Sequence, residues 1–192
     1  CIAPQVNERV LGDATRVRVQ GLDRGMEGAS RPGHFEGVTT VVARLLNAVQ
    51  PDVLWLGQKD AQQARLIERM VEDLLLPITV RRGATVRERD GLACSSRNSY
   101  LGPAERAEAV ALWQGLSAAR AALAAGERRA ARLVAIVRGV WKRYPRVRED
   151  YAAVVDARTL APVTRVAGRV LVAVAARVGP ARLIDNLEWA ER

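Results

Sequence analysis

The sequence predicts an α/β chain with a parallel βαβ unit first and a smaller α+β unit with an antiparallel sheet after it. Three observations carry this. Apolar runs at residues 53–56 and 78–80 flank a segment of helical periodicity, the order of a strand, a crossover helix and a parallel strand. Between Gly83 and Gly91 the pattern changes, with Asp90-Gly91 a turn signal, which sets a unit boundary near Thr85. Beyond it, strand candidates at 151–155, 169–175 and 182–185 follow one another without crossover helices, as in an antiparallel sheet.

In chain order, Cys1-Ile2-Ala3-Pro4 reads as the end of a buried strand and residues 7–13 as a loop. Residues 15–19 alternate as a short strand. Residues 27–37, rich in turn formers, form a loop leading into a helix whose Val38, Val41, Val42, Leu45, Leu46 and Val49 make a core face, ended by Pro51. After the strand at Val53 a second helix buries Ala64, Ile67, Met70, Val71, Leu74 and Leu75 and stops before Pro77. Gly102-Pro103-Ala104-Glu105 opens a long alanine-rich helix that ends at Gly126, with proline at its first position and an acid in its first turn. A further helix over 128–144 buries Leu133, Val137, Val140, Trp141 and Tyr144.

Composition bounds the rest. With 192 residues and 49% apolar content the chain can bury a core of one domain or two small ones. No apolar run reaches the roughly 20 residues that cross a bilayer, so no membrane is expected. Two cysteines, Cys1 and Cys94, give neither a disulfide framework nor a metal spacing, which suits a reducing cytoplasmic compartment; Cys94 reads as a small buried side chain. The formal charge of +9 raises nucleic-acid binding, but the arginines are scattered through helices and aromatic content is 4%, so a solvated arginine-biased surface is expected instead.

Chemistry concentrates in two polar clusters. Gly57-Gln58-Lys59-Asp60-Ala61-Gln62-Gln63 falls at the carboxyl end of the strand at Val53, where α/β sheets bind ligands. Of 30 basic residues only Lys59 and Lys142 are lysines, so a lysine in that turn suits one phosphate oxygen better than a guanidinium fork would, though alone it also reads as a solvated surface residue. Asp60 could accept from a ribose hydroxyl, and two amides could orient a polar substrate. Cys94-Ser95-Ser96-Arg97-Asn98 offers two hydroxyls and a guanidinium as a second phosphate clamp, and two clamps suggest a nucleotide. His34, the sole histidine, reads as a hydrogen-bonding loop residue rather than a general base, and Arg31 as either a carboxylate partner or a surface charge.

The first of these clusters and the second extended back to Asp90, with residues 27–38 and Ala181-Arg182-Leu183-Ile184-Asp185-Asn186, resemble the pantothenate synthetases, ligases that join pantoate to β-alanine at the expense of ATP. The resemblance runs across essentially the whole chain, in the family's order and spacing. It implies that residues 1–85 are the second half of a Rossmann-like nucleotidyltransferase domain that binds ATP and pantoate, and that 86–192 are the carboxyl-terminal α+β lid. It further implies that Gly57, Gln58, Lys59 and Asp60 bind ATP, with Lys59 on the phosphates and Asp60 near the ribose. By the same resemblance Gln63 binds pantoate, Val86 contacts the nucleotide, and Cys94, Ser95, Ser96 and Arg97 match the KMSKS loop of class I aminoacyl-tRNA synthetases. Lys59, Ser95, Ser96 and Arg97 are then catalytic, ATP acts with Mg²⁺, and the complete protein is a homodimer. The family's His-x-Gly-His motif, its first pantoate-binding glutamine and its metal-binding acids have no counterpart here. The chain is therefore expected to be the carboxyl-terminal portion of the enzyme, truncated or one piece of a split protein, with no metal ligand of its own. A nucleotide-binding remnant without chemistry is the alternative, and a basic nucleic-acid-binding module a distant third.

Overall fold

The computed structural model describes residues 14–191. The expectations for residues 1–4 and 7–13 lie outside the described residues.

Strand β1 (Val53–Gly57) pairs in parallel with β2 (Thr79–Gly83), from Val53 opposite Thr79 to Gly57 opposite Gly83. The two strands therefore end side by side, and the turns after them open at one edge. Three helices precede or connect these strands: a single turn α1 (Glu27–Ser30), α2 (His34–Val49) and α3 (Ala61–Asp73). Leu66, Ile67 and Met70 of α3 pack with Phe35, Ala43 and Leu46 of α2 and with Val19 in one apolar cluster.

Several expectations for this unit need correction. Residues 15–19 form no strand: the Val17 N–H donates to Thr40 Oγ1 (2.9 Å), and the Thr39 hydroxyl donates to the Val17 carbonyl, so side chains of α2 take up the backbone groups that a neighbouring strand would. Part of the expected loop at 27–37 is helical, α2 starting at His34. Its buried face runs through Phe35, Thr39, Thr40, Ala43 and Leu46, whereas Val49 is exposed, because the two threonines turn toward the 15–19 segment. Leu74 and Leu75 are exposed as well, since α3 ends at Asp73 and Leu75 takes a left-handed φ of 51° that swings it off the helix face.

The second unit has three helices, α4 (Pro103–Ala109), α5 (Ala111–Ala124) and α6 (Ala130–Trp141). The expected single alanine-rich helix is thus divided at Val110. Ala109 and Ala111 are both fully buried, and a straight helix would point residues two apart to nearly opposite sides; the break lets both face the core. Helix α6 is shorter than expected, and Tyr144 lies beyond it, half-buried against the core, with its hydroxyl on Gln114 Oε1.

Strands β3 (Val147–Asp156), β4 (Arg169–Val178) and β5 (Ala181–Ala190) form an antiparallel sheet in that order, as expected but with longer strands. The turn between β4 and β5 is two residues, with Gly179 at a φ of 56°. Central strand β4 is an almost unbroken apolar run because both of its faces are covered. Val170, Val172, Val174, Ala176 and Val178 join the core under α4–α6. Leu171 and Ala173 point the other way, to Met26, Ala61, Val155 and Leu160, and this smaller cluster joins the antiparallel sheet to the parallel unit.

Candidate active site

The backbone after β1 makes a 3-10 turn, Gln58–Asp60, before α3 begins at Ala61. One side chain of the opposite sheet fixes that turn: the Asn186 amide of β5 donates to the Gln58 carbonyl (2.9 Å) and to the Lys59 carbonyl (2.8 Å). The Gln58 side chain points away from the turn, toward Asn186 Oδ1 and Glu188, and accepts from Arg82 (3.3 Å).

A cleft of about 390 Å³ lies between this turn and the antiparallel sheet. Lys59, Asp60 and Gln63 line one side and Ser95, Ser96 and Arg97 another, so six of the residues singled out from sequence share one cavity. Ser95 caps the second cluster by accepting from the Arg97 N–H (3.2 Å), and a 3-10 turn, Ser96–Tyr100, follows. Gly57, Gln58, Val86 and Cys94 do not line the cleft. Cys94 is exposed, not buried as its size suggested, because its segment hairpins back on residues 86–88, its N–H donating to the Val86 carbonyl (2.9 Å).

Arg31 and His34 also face this cleft, in contact with each other (2.9 Å). Burial, and then the Arg31 charge, hold the His34 pKa below its ordinary value, so the imidazole is neutral near pH 7.

Sequence reasoning missed a polar frame around the cavity. Glu27, buried at 8% exposure, receives both arms of the Arg182 guanidinium (2.7 and 2.8 Å) and the Tyr151 hydroxyl (3.0 Å). Arg182 also reaches Asp150 (2.8 Å). Burial, and then the Glu27 charge, push the Tyr151 pKa far up, so the phenol stays a donor. Gln62 completes the frame, accepting from the Glu27 N–H (3.0 Å) and donating to the Leu22 and Gly25 carbonyls. Asp185, also buried, is held bidentately by Arg87 (2.6 and 2.9 Å), which stacks 3.7 Å over the Trp113 ring. Glu27, Arg182, Asp185 and Asn186 all sit in stretches that carried the family resemblance. Their pairings join residues far apart in the chain, which no local pattern reveals.

The donor set does not suit a metal ion. Glu27 and Asp185 are taken up by arginines, and among the described residues no group of three or more His, Cys, Asp or Glu side chains is placed to hold one.

Fold and cleft define an α/β protein with a polar cleft at the carboxyl edge of a parallel sheet, roofed by an antiparallel one. The family model for pantoate-beta-alanine ligase matches residues 1–188, and the chain belongs to that family. It is 51% identical to the pantothenate synthetase of Moorella thermoacetica over 186 residues, covering 96% of this chain and 66% of the relative. The bifunctional pantoate ligase/cytidylate kinase of Synechococcus elongatus is 52% identical over 86% of this chain and 32% of that protein. Among solved structures, pantothenate synthetase from Thermus thermophilus superposes with a TM-score of 0.88 at 46% identity, over 92% of this chain and 64% of that one. Pantoate-beta-alanine ligase from Francisella tularensis, complexed with beta-gamma ATP and beta-alanine, gives a TM-score of 0.64 at 27% identity, over 90% and 57%. The chain thus spans about two thirds of the length of the first curated relatives it matches.

Proposed function

We propose that this chain carries the phosphate-gripping part of an enzyme that condenses (R)-pantoate with β-alanine, using ATP and releasing AMP and pyrophosphate. The observation that carries the reading is the convergence of Lys59 and Asp60 with Ser95, Ser96 and Arg97 on one cleft, in a chain of the pantoate-beta-alanine ligase family.

The chemistry follows from charge. A pantoate carboxylate attacking the α-phosphate of ATP brings an anion to an anion, and Lys59 and Arg97 offset that repulsion where charge builds up. The Ser95 and Ser96 hydroxyls donate to phosphate oxygens, Asp60 accepts from the ribose and Gln63 orients pantoate. The new P–O bond gives pantoyl adenylate as pyrophosphate leaves. The amine of β-alanine then attacks the acyl carbon, the bond to AMP breaks, and the amine proton passes to solvent or phosphate. Because the mixed anhydride is labile to water, residues 86–192 act as a lid that closes over the site on residues 1–85. Gly57, Gln58, Val86 and Cys94 contribute through backbone placement around the nucleotide. ATP is supplied with Mg²⁺, the enzyme works in the cytoplasm, and the complete protein is a homodimer; among the described residues no helix is long and apolar enough to cross a membrane.

The test follows AMP and pantothenate from pantoate, β-alanine and ATP, for this chain alone and with the part of the Thermus thermophilus relative that it does not cover added in trans. Equimolar AMP and pantothenate in either arm supports the reading; ATP binding with no AMP in both arms would identify a nucleotide-binding remnant instead. In the active arm Lys59→Ala lowers the rate of adenylate formation about 100-fold or more, and unchanged turnover removes Lys59 from the mechanism.

A further inference from the structure

Beside the cleft, and sharing Arg31 and Arg97 with it, lies a second groove of about 580 Å³ that the ligase chemistry leaves unused. Its base is a cross-strand row. Arg148 of β3 stands opposite Arg177 of β4, and Arg177 stands opposite Arg182 of β5, so three arginines sit abreast on one face of the sheet. Like charges directly opposite each other destabilise a sheet. Arg182 is neutralised by Glu27 and Asp150. Among the described residues, the Arg148 and Arg177 side chains have no hydrogen-bond or ion-pair partner. Of the acids in the groove, Glu149 is engaged by Arg138 and Asp150 by Arg182 and Ser30. The exposed ring of Tyr100 closes one side. Four guanidiniums, those of Arg31, Arg97, Arg148 and Arg177, therefore line one groove without a carboxylate partner among the described residues, and two of them belong to the cross-strand row.

We propose that this groove binds an oligophosphate anion, and that its occupant is the pyrophosphate released from the neighbouring cleft. Planar guanidinium forks match phosphate oxygens two at a time, and an anion spanning Arg148 and Arg177 would turn their mutual repulsion into attraction. Arg97, common to both cavities, would hand the departing anion from one to the other. The anion chemistry stands on the groove alone; naming pyrophosphate as the occupant rests on the ligase reading.

The experiment titrates sodium pyrophosphate and, separately, ATP into the protein and its Arg148→Ala, Arg177→Ala double variant by calorimetry. Loss of two charge-assisted contacts weakens pyrophosphate binding roughly tenfold or more, while ATP affinity stays within about threefold because the Lys59 cleft is untouched. Without ligand the variant melts about 2 °C higher at low salt, the repulsion having been removed, which also shows that it is folded. Equal pyrophosphate affinity in both proteins, or none in the wild type at millimolar concentration, overturns the proposal. A parallel fall in ATP affinity overturns it too, by making the groove a seat for the nucleotide's own phosphates. If this chain alone binds no ATP while its pyrophosphate binding is intact and is weakened by the double variant, the anion groove stands, and the ligase reading is decided separately by the AMP assay with the complementing part in trans.

Discussion

Asn186 is the residue on which the Lys59 turn depends. Its amide donates to two consecutive carbonyls of that turn while the side chain itself is buried at 6% exposure. Asn186→Ala removes two hydrogen bonds that tie the turn to β5, each worth about 1 kcal/mol. The expected result is a loss of about 2–3 kcal/mol in urea unfolding, with ATP affinity falling in proportion to the loosening of Lys59. Asn186→Asp, which sets a carboxylate against the same two carbonyls, should be worse than alanine; equal stability of aspartate and asparagine would mean the amide does not hold the turn. At this scale the sequence is only half legible. Lys59 stands out because the chain writes all but two of its basic residues as arginine, and the hydroxyls at Ser95 and Ser96 stand out by adjacency. Asn186 is an inconspicuous polar residue in a strand, and its meaning comes from a turn 127 positions away in the chain.

Elements are legible from periodicity where one face alone is buried, and are misread where something else decides the geometry. Strands β1 and β2 pair in parallel where their apolar runs fall, and helix α3 follows its apolar spacing as far as Val71, losing only Leu74 and Leu75 beyond its end. Helix α2 does not, because Thr39 and Thr40 spend their hydroxyls on the backbone at Val17 and draw the helix round by one face. The start of α6 shows another device that no apolar pattern marks. Glu127 precedes the helix and its carboxylate accepts from the Arg128 and Arg129 N–H groups (3.0 and 2.9 Å) while pairing with the Arg129 guanidinium. The Arg129 side chain, more than the backbone bonds, holds the Glu127 pKa down to about 2, against an ordinary value of 4.5. A carboxylate whose pKa is lowered by folding stabilises the folded state above its unfolded pKa, and that contribution fades as pH falls from about 4.5 to about 2. Glu127→Gln should therefore lower the melting temperature slightly at neutral pH, and the gap to wild type should close across that window. Because the carboxylate is partly exposed, added salt should shrink the gap as well. A gap that persists unchanged below pH 2 would show that the loop shape, not the charge, supports the helix.

At the scale of the whole molecule most of the described arginines are exposed, as a solvated basic surface requires, but a few of them, Arg65, Arg82 and Arg182 among them, are drawn in and connect the two units. On one side of the two sheets Arg82 joins Glu68 of α3 and approaches Glu188 of β5 (3.9 Å), and Arg65 of α3 donates to the Arg158 carbonyl (2.8 Å). On the other side Arg182 of β5 clamps Glu27 of α1 beside Asp150. Between these straps the two units meet through a small apolar cluster around Leu171 and Ala173 and through the Asn186 amide on the Lys59 turn, so polar and charged contacts have a large share in fixing the cleft. A guanidinium serves here because its fork meets both carboxylate oxygens, as Arg182 does with Glu27. Removing one partner of such a buried pair leaves the other desolvated and under-compensated, which costs about 3 kcal/mol, whereas removing both costs less than the sum of the two single changes. Glu27→Ala should accordingly lose about 3 kcal/mol in denaturant unfolding, tempered by the Asp150 contact that Arg182 keeps. The Glu27→Ala, Arg182→Ala double variant should recover part of that loss. If the strap also sets how residues 1–85 and 86–192 unfold together, Glu27→Ala should separate one transition into two when followed by Trp fluorescence and by far-ultraviolet circular dichroism. A single coincident transition with unchanged midpoint would show that the units stay coupled without the Glu27–Arg182 pair, and that Glu27 and Arg182 only shape the cleft wall.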